Sequence, residues 1–225
     1  MQPTGAALER TPTAVESPLR PAWRGRLHRY AAVAAVPLFL VLVVAAQSTG
    51  DRVACAVYGL AVVTMLGVSA TYHAASTSPR WKARLRPVDH STILIAIAGS
   101  YTGIATLALP SRQAGLLIVF VWVGALIGSV VRVSWPSAPV AVLGVVYVGV
   151  GWSALIEVGA LLGAVPVLAG LLIVGGGVVY TIGAIVFALR RPDPSPAVFG
   201  YHEVFHALVV TGVAMHYTAA LLLVR

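Results

Sequence analysis

One cysteine, one lysine and seven carboxylates are all that this chain of 225 residues contains of those types. The lone Cys55 excludes an internal disulfide and, inside an apolar run, reads as a small filler within a helix. Charged residues make up 10% of the chain against 59% apolar, and the mean hydropathy is +0.90, which together exclude an ordinary soluble domain. Long polar connections are missing too. The longest, at about 74–87, leaves no room for a separately folded domain. Function therefore has to reside in a membrane-embedded bundle and its rims.

What the chain has in abundance is apolar runs, seven of them, at about 31–46, 53–73, 88–110, 113–131, 138–162, 166–189 and 202–224. Most approach the roughly 20 residues that carry a helix across a bilayer. They predict an all-α integral membrane protein, a seven-transmembrane-helix bundle over residues 23–225 behind a disordered tail at 1–22. The first run is short and, followed by polar QSTG, has features of the apolar core of a cleaved signal peptide. The about 30 residues ahead of it, Pro-rich and Arg-containing, favour an uncleaved helix instead. Pro37, Pro110 and Pro166 lie inside or at the ends of runs, where they bend or terminate helices. The pairs Gly99/Gly103, Gly124/Gly128 and Gly159/Gly163 permit close helix approach.

Positive charge is distributed unevenly between the two ends of these runs. One end carries twelve basic residues: Arg10, Arg20, Arg24, Arg26, Arg29, Arg80, Lys82, Arg84, Arg86, Arg132, Arg190 and Arg191. The other carries three, Arg52, Arg112 and Arg225. The positive-inside rule then puts the N-terminus in the cytoplasm and the C-terminus outside. The net charge of +8 follows from topology and from attraction to anionic headgroups at the cytoplasmic face. Membrane lipids are the expected partners, and nucleic acid is not.

Polar residues within the runs gather at that same basic end. Run two closes on SATYH, which sets Ser69 and His73 one turn apart on one face; run three opens on VDHST, with Asp89 and His90; run seven opens on HEVFH, residues 202–206. Ionisable groups at such depth are costly unless they pair or bind something. His90, on a different face from Asp89, reads as an interfacial residue. His73, His202 and His206 with a nearby carboxylate match zinc's need for three protein ligands and a water. HEVFH also fits the HExxH pattern of zinc proteases, in which the glutamate, here Glu203, is the base. Nothing after His206 is acidic, however, so no downstream carboxylate can complete a protease site. Glu157 and His216 remain, either paired across helices or each reaching an interface.

Three separated motifs, SxxxH at 69–73, DH followed by an apolar run ending IAGSYT at 97–102, and GYHEVFHALVV with a later MHY, resemble the hemolysin III family. That family is the bacterial branch of the progestin and adipoQ receptor superfamily, and the likeness covers about residues 25–225. It implies a multi-pass protein of a bacterial cell membrane with zinc on the cytoplasmic side. It further implies His73, His202 and His206 as ligands, Asp89 as the carboxylate holding the metal-bound water, and Ser69 beside them. Relatives often have glutamine at the position of Glu203, so the resemblance makes that carboxylate dispensable. Many also carry an acidic residue where this chain has Leu66, a departure that removes any role for a second carboxylate there. Two functions stay open: a zinc-dependent hydrolase of lipid amides or esters with Asp89 as base, and a membrane-active cytolysin or non-enzymatic membrane-homeostasis protein. In the second, zinc staples three helices and Asp89 is the fourth ligand. A pore should show polar residues through the whole bilayer thickness, whereas here they cluster at one end.

Overall fold

The computed structural model describes residues 20–74, 78–135, 138 and 140–224. Among these, seven helices are long and apolar enough to cross a membrane. The chain runs through α1 (Arg26–Ala45), α2 (Thr49–Tyr72), α3 (Pro79–Ala108), α4 (Ser111–Ser134), α5 (Val140–Gly151), α6 (Val158–Ala164), α7 (Val167–Leu189) and α8 (Tyr201–Leu223). Helices α5 and α6 are the two halves of one crossing, Gly144–Ala164, joined by a 3₁₀ turn at Ser153–Glu157. Sequential neighbours pack together, α8 returns to touch both α1 and α3, and the ring closes as a bundle. The expected tail lies outside the described residues up to position 19. Its last three residues are tied down: the Ala22 N–H donates to the Ala197 carbonyl at 3.0 Å, and the Arg20 guanidinium donates to the His73 carbonyl.

Local chemistry sets the helix ends. The Ser48 hydroxyl accepts the Asp51 N–H at 3.0 Å at the start of α2. Pro110 and Pro166 stand as the residues before α4 and α7, where no intrahelical donor is lost. Pro37 sits within α1, which still runs its 20 residues. Helix α3 begins at Pro79, nine residues ahead of the apolar run expected at 88, because Ser78 caps it, Pro79 fits the first turn, and the Arg, Lys, Ala and Leu that follow are good helix formers. Hydropathy marks only the part of a helix that meets lipid.

The fifth crossing departs from the uninterrupted run expected at 138–162. Around Gly149 and Gly151 helical continuity is weak, and the Tyr101 phenol from α3 takes over the freed backbone groups. It donates to the Gly151 carbonyl at 2.6 Å and accepts the Ala154 N–H at 2.8 Å. The Trp152 indole N–H adds a 2.9 Å bond to Thr181 on α7. A break at membrane depth is stable only with such substitutes.

Two apolar cores fill the bundle. One, around Phe39, Tyr58, Leu66 and Ala220, lies between α1, α2 and α8; the other, around Leu94, Val121 and Ala169, lies between α3, α4 and α7. Gly99 and Gly103 let α3 approach α2, since a Cβ on Gly103 would lie 2.9 Å from the Tyr58 ring. Gly124 and Gly128 meet α5 and Leu94 in the same way, whereas Gly159 and Gly163 face open space and meet no neighbour among the described residues. Outward-facing Val33, Leu40, Val44, Phe120 and Ile127 are exposed, as a lipid-facing surface requires.

Candidate metal centre

His73 follows the last residue of α2, its N–H still bonded to the Ser69 carbonyl at 3.0 Å, so its ring stands at the helix end. His202 and His206 occupy the first two turns of α8, four apart and hence on one face. One nitrogen from each of the three lies within 4.8 Å of the others, and the Nε2 atoms of His73 and His202 are 3.1 Å apart. Two imidazoles each about 2.0–2.1 Å from one tetrahedral zinc would hold their nitrogens about 3.3 Å apart. The donor set therefore fits a metal of that kind. His73 and His206 are buried, and the rings of Phe187 and Phe205 wall off His202.

Asp89, in α3, is 7% exposed and brings Oδ2 to 4.0 Å from the His73 Nε2. Ser69, one turn before His73 and buried, presents its hydroxyl towards the Asp89 carboxylate. The set that closes within 4.8 Å is the three histidines, and Asp89 stands to one side of it. A tetrahedral ion held by the three rings would have one further coordination position.

The neighbouring polar residues are engaged elsewhere. Glu203 is 2% exposed, with one oxygen 2.6 Å from the Arg24 Nε and the other accepting the Gly200 N–H at 2.9 Å, which caps α8. His90 Nδ1 accepts the Arg132 Nε–H at 2.9 Å, directing that ring towards α4. Glu157 and His216 do not pair. Glu157 accepts from Gln113 at 2.9 Å, and His216 bonds the Ile173 carbonyl at 3.0 Å and stands edge-on to Tyr180.

Sequence reasoning missed His28. It is 2% exposed in the first turn of α1, and its ring lies parallel to that of His206, centroids 3.8 Å apart and planes 7° apart. Ala35 and Leu42 follow it at seven-residue intervals on the buried stripe of α1. Extending that stripe back one more heptad from the apolar run would have reached it.

His28, His73, Asp89, His90, His202, Glu203 and His206 occupy the end of the bundle at which α1, α3 and α8 begin and α2, α4 and α7 finish, whereas Glu157, bonded to Gln113 in the first turn of α4, lies at the other end. Arg20, Arg24, Arg26, Arg84, Arg86, Arg190 and Arg191 belong to the same end as the histidine cluster.

Comparison with known proteins follows the same outline. The family model for haemolysin-III-related proteins matches residues 17–217. A hemolysin-3 homolog of Bacillus subtilis (strain 168) is 26% identical over 190 residues, 83% of this chain and 86% of its own length. Hemolysin-3 of Bacillus cereus is 24% identical over 197 residues, 86% of this chain and 87% of its own. No solved structure matches.

Proposed function

The chain belongs to the haemolysin-III-related family, and from that premise we propose that it binds one zinc ion through His73, His202 and His206 and hydrolyses an amide or ester bond of a membrane lipid. When bound, zinc supplies a Lewis-acid position that makes water nucleophilic near neutral pH. Asp89 takes the proton given up by the attacking water, and Ser69 keeps that carboxylate in place through its hydroxyl. The rings of His73, at the end of α2, and of His202 and His206 on α8 would hold the ion between the two helices, so the relative placement of those helices would set the geometry of the reaction. The observation that carries this reading is an open donor set, nitrogens of three histidines, two of them buried, with Asp89 beside them rather than among them. A purely structural zinc usually takes four protein ligands.

The excess of basic residues at this end supports its placement on the cytoplasmic side, as the positive-inside rule expects. Anionic headgroups gather on that rim, and the substrate enters sideways from the bilayer. Purified protein is expected to carry about one zinc per chain, and His206→Ala to lose it; a metal-free wild type would overturn the reading. With metal confirmed, ceramide-like amides and phospholipids serve as substrates. Asp89→Ala should turn them over at least roughly 100-fold more slowly than wild type, and equal turnover would count against hydrolysis.

A second reading draws on the relative named Hemolysin-3: the chain perturbs membranes, and zinc only staples α2 to α8. Dye release from liposomes without lipid turnover would favour it. Polar groups concentrated at one end, rather than a polar stripe through the bilayer, favour the hydrolase.

A further inference from the structure

We propose that His28 is a positioning residue of the metal centre: its ring lies flat on His206 and fixes the plane in which His206 presents its nitrogen, while residues 20–25 hold His28 in place. The proposal rests on the zinc reading above. A histidine ligates through an in-plane lone pair, yet rotation of its ring about Cβ–Cγ has only a broad torsional preference. Neighbours must therefore set the plane, and at most metal sites a hydrogen bond to the distal nitrogen does so. Four rings surround His206 among the described residues. Those of His73, His202 and Phe205 are inclined to it by 51–66°, and only His28 is parallel, at 7°. Neither His28 nitrogen makes a well-formed hydrogen bond, so what this buried imidazole contributes is its face.

Residues 20–25 form a strap that grips both ligand-bearing helices before α1 begins. On the α2 side, Arg20 donates to the His73 carbonyl, and Gly25, at φ 78°, packs so closely that a Cβ there would lie 2.8 Å from the His73 Cβ. On the α8 side, Ala22 and Trp23 donate to the carbonyls of Ala197 and Val198 at 3.0 and 3.1 Å, and Arg24 pairs with Glu203. His28 enters the site one turn after these anchors. The strap thus references the His206 ring to the ends of both α2 and α8, the two elements that must agree for three nitrogens to meet.

Zinc affinity of the full-length protein in detergent, measured by competition with a chromophoric chelator, tests this in wild type, His28→Phe and His28→Leu, with the visible spectrum of bound cobalt as a second readout. Both replacements fill the space, but only Phe offers a flat face. His28→Phe should stay within about threefold of wild type and keep the cobalt bands, while His28→Leu should bind roughly 10–100-fold more weakly with shifted bands, the usual cost of losing an outer-shell support. Unchanged affinity in His28→Leu overturns the proposal. An equal loss in both variants also overturns it, because the nitrogens of His28 would then be what matters. Should His28→Leu fail to elute as a single folded species, Arg24→Gln loosens the strap away from the ring. The same weakening is expected there, and unchanged affinity again overturns the idea. A wild type that binds no metal removes the zinc reading and this proposal with it.

Discussion

Glu203 lies between two candidate ligands in sequence, yet both its oxygens are engaged away from them, one by Arg24 at 2.6 Å and the other by the Gly200 N–H at 2.9 Å. A base for a metal site needs a free lone pair facing the water, and this carboxylate is held by a guanidinium and a helix N-terminus instead. Glu203→Gln is therefore expected to weaken zinc binding only as far as Arg24→Gln does, because both loosen the same strap contact, while lowering stability by roughly 1–3 kcal/mol, since it weakens a charge-assisted contact in a buried position. Thermal unfolding and metal analysis on the same sample check both halves. Loss of the metal with no loss of stability would return Glu203 to the site. Gly25 makes a second residue-scale case. Its φ of 78° is one that side-chain-bearing residues rarely adopt, and a Cβ would collide with that of His73. Gly25→Ala should cost about 1–2 kcal/mol from the backbone alone, and it should weaken metal binding because the neighbour displaced is a ligand. An alanine variant as stable and as tightly metallated as wild type would contradict the close packing of the strap.

At the scale of elements, the site depends on helix ends more than on helix interiors. Each contributing helix is apolar along its length and turns polar in its last or first turns, so hydropathy alone brought Ser69, His73, Asp89, His202 and His206 to one depth. That much was legible because a helix has no choice of register against a bilayer: its ends lie where apolar side chains stop. Sideways register is different. His28 meets His206 because α1 packs against α8 at one particular rotation, and no local pattern in either helix reports the contact. The interrupted fifth crossing was hidden for a similar reason, since Tyr101, 50 residues before Gly151 and on another helix, supplies the bonds that make the break tolerable. Tyr101→Phe removes both bonds and leaves the Gly151 carbonyl and the Ala154 N–H unpaired at about 1–3 kcal/mol each. Hydrogen exchange should accelerate selectively across 152–158, with zinc binding retained. Uniform exchange in the variant and the wild type would show that the phenol is not the staple.

At the scale of the whole molecule, the metal centre, the strap and the basic rim share one end of the bundle, which ties the side of the membrane that holds the site to a single topological fact. Seven crossings put the two termini on opposite faces, and the connection between α7 and α8 lies on the face with the metal centre, while that between α1 and α2 lies on the other. Twelve basic residues against three favour the first face as cytoplasmic. Cys55 is buried, so Cys55→Ala leaves a background into which single reporters can be placed. Gln47→Cys, exposed between α1 and α2, should react with a membrane-impermeant maleimide added to intact cells. Ala197→Cys, exposed between α7 and α8, should react only after lysis. The reverse labelling pattern would place the three histidines outside, where the substrate headgroup and any zinc would have to arrive from the opposite leaflet, and the orientation proposed for the hydrolase would have to be abandoned even if its metal and turnover were confirmed.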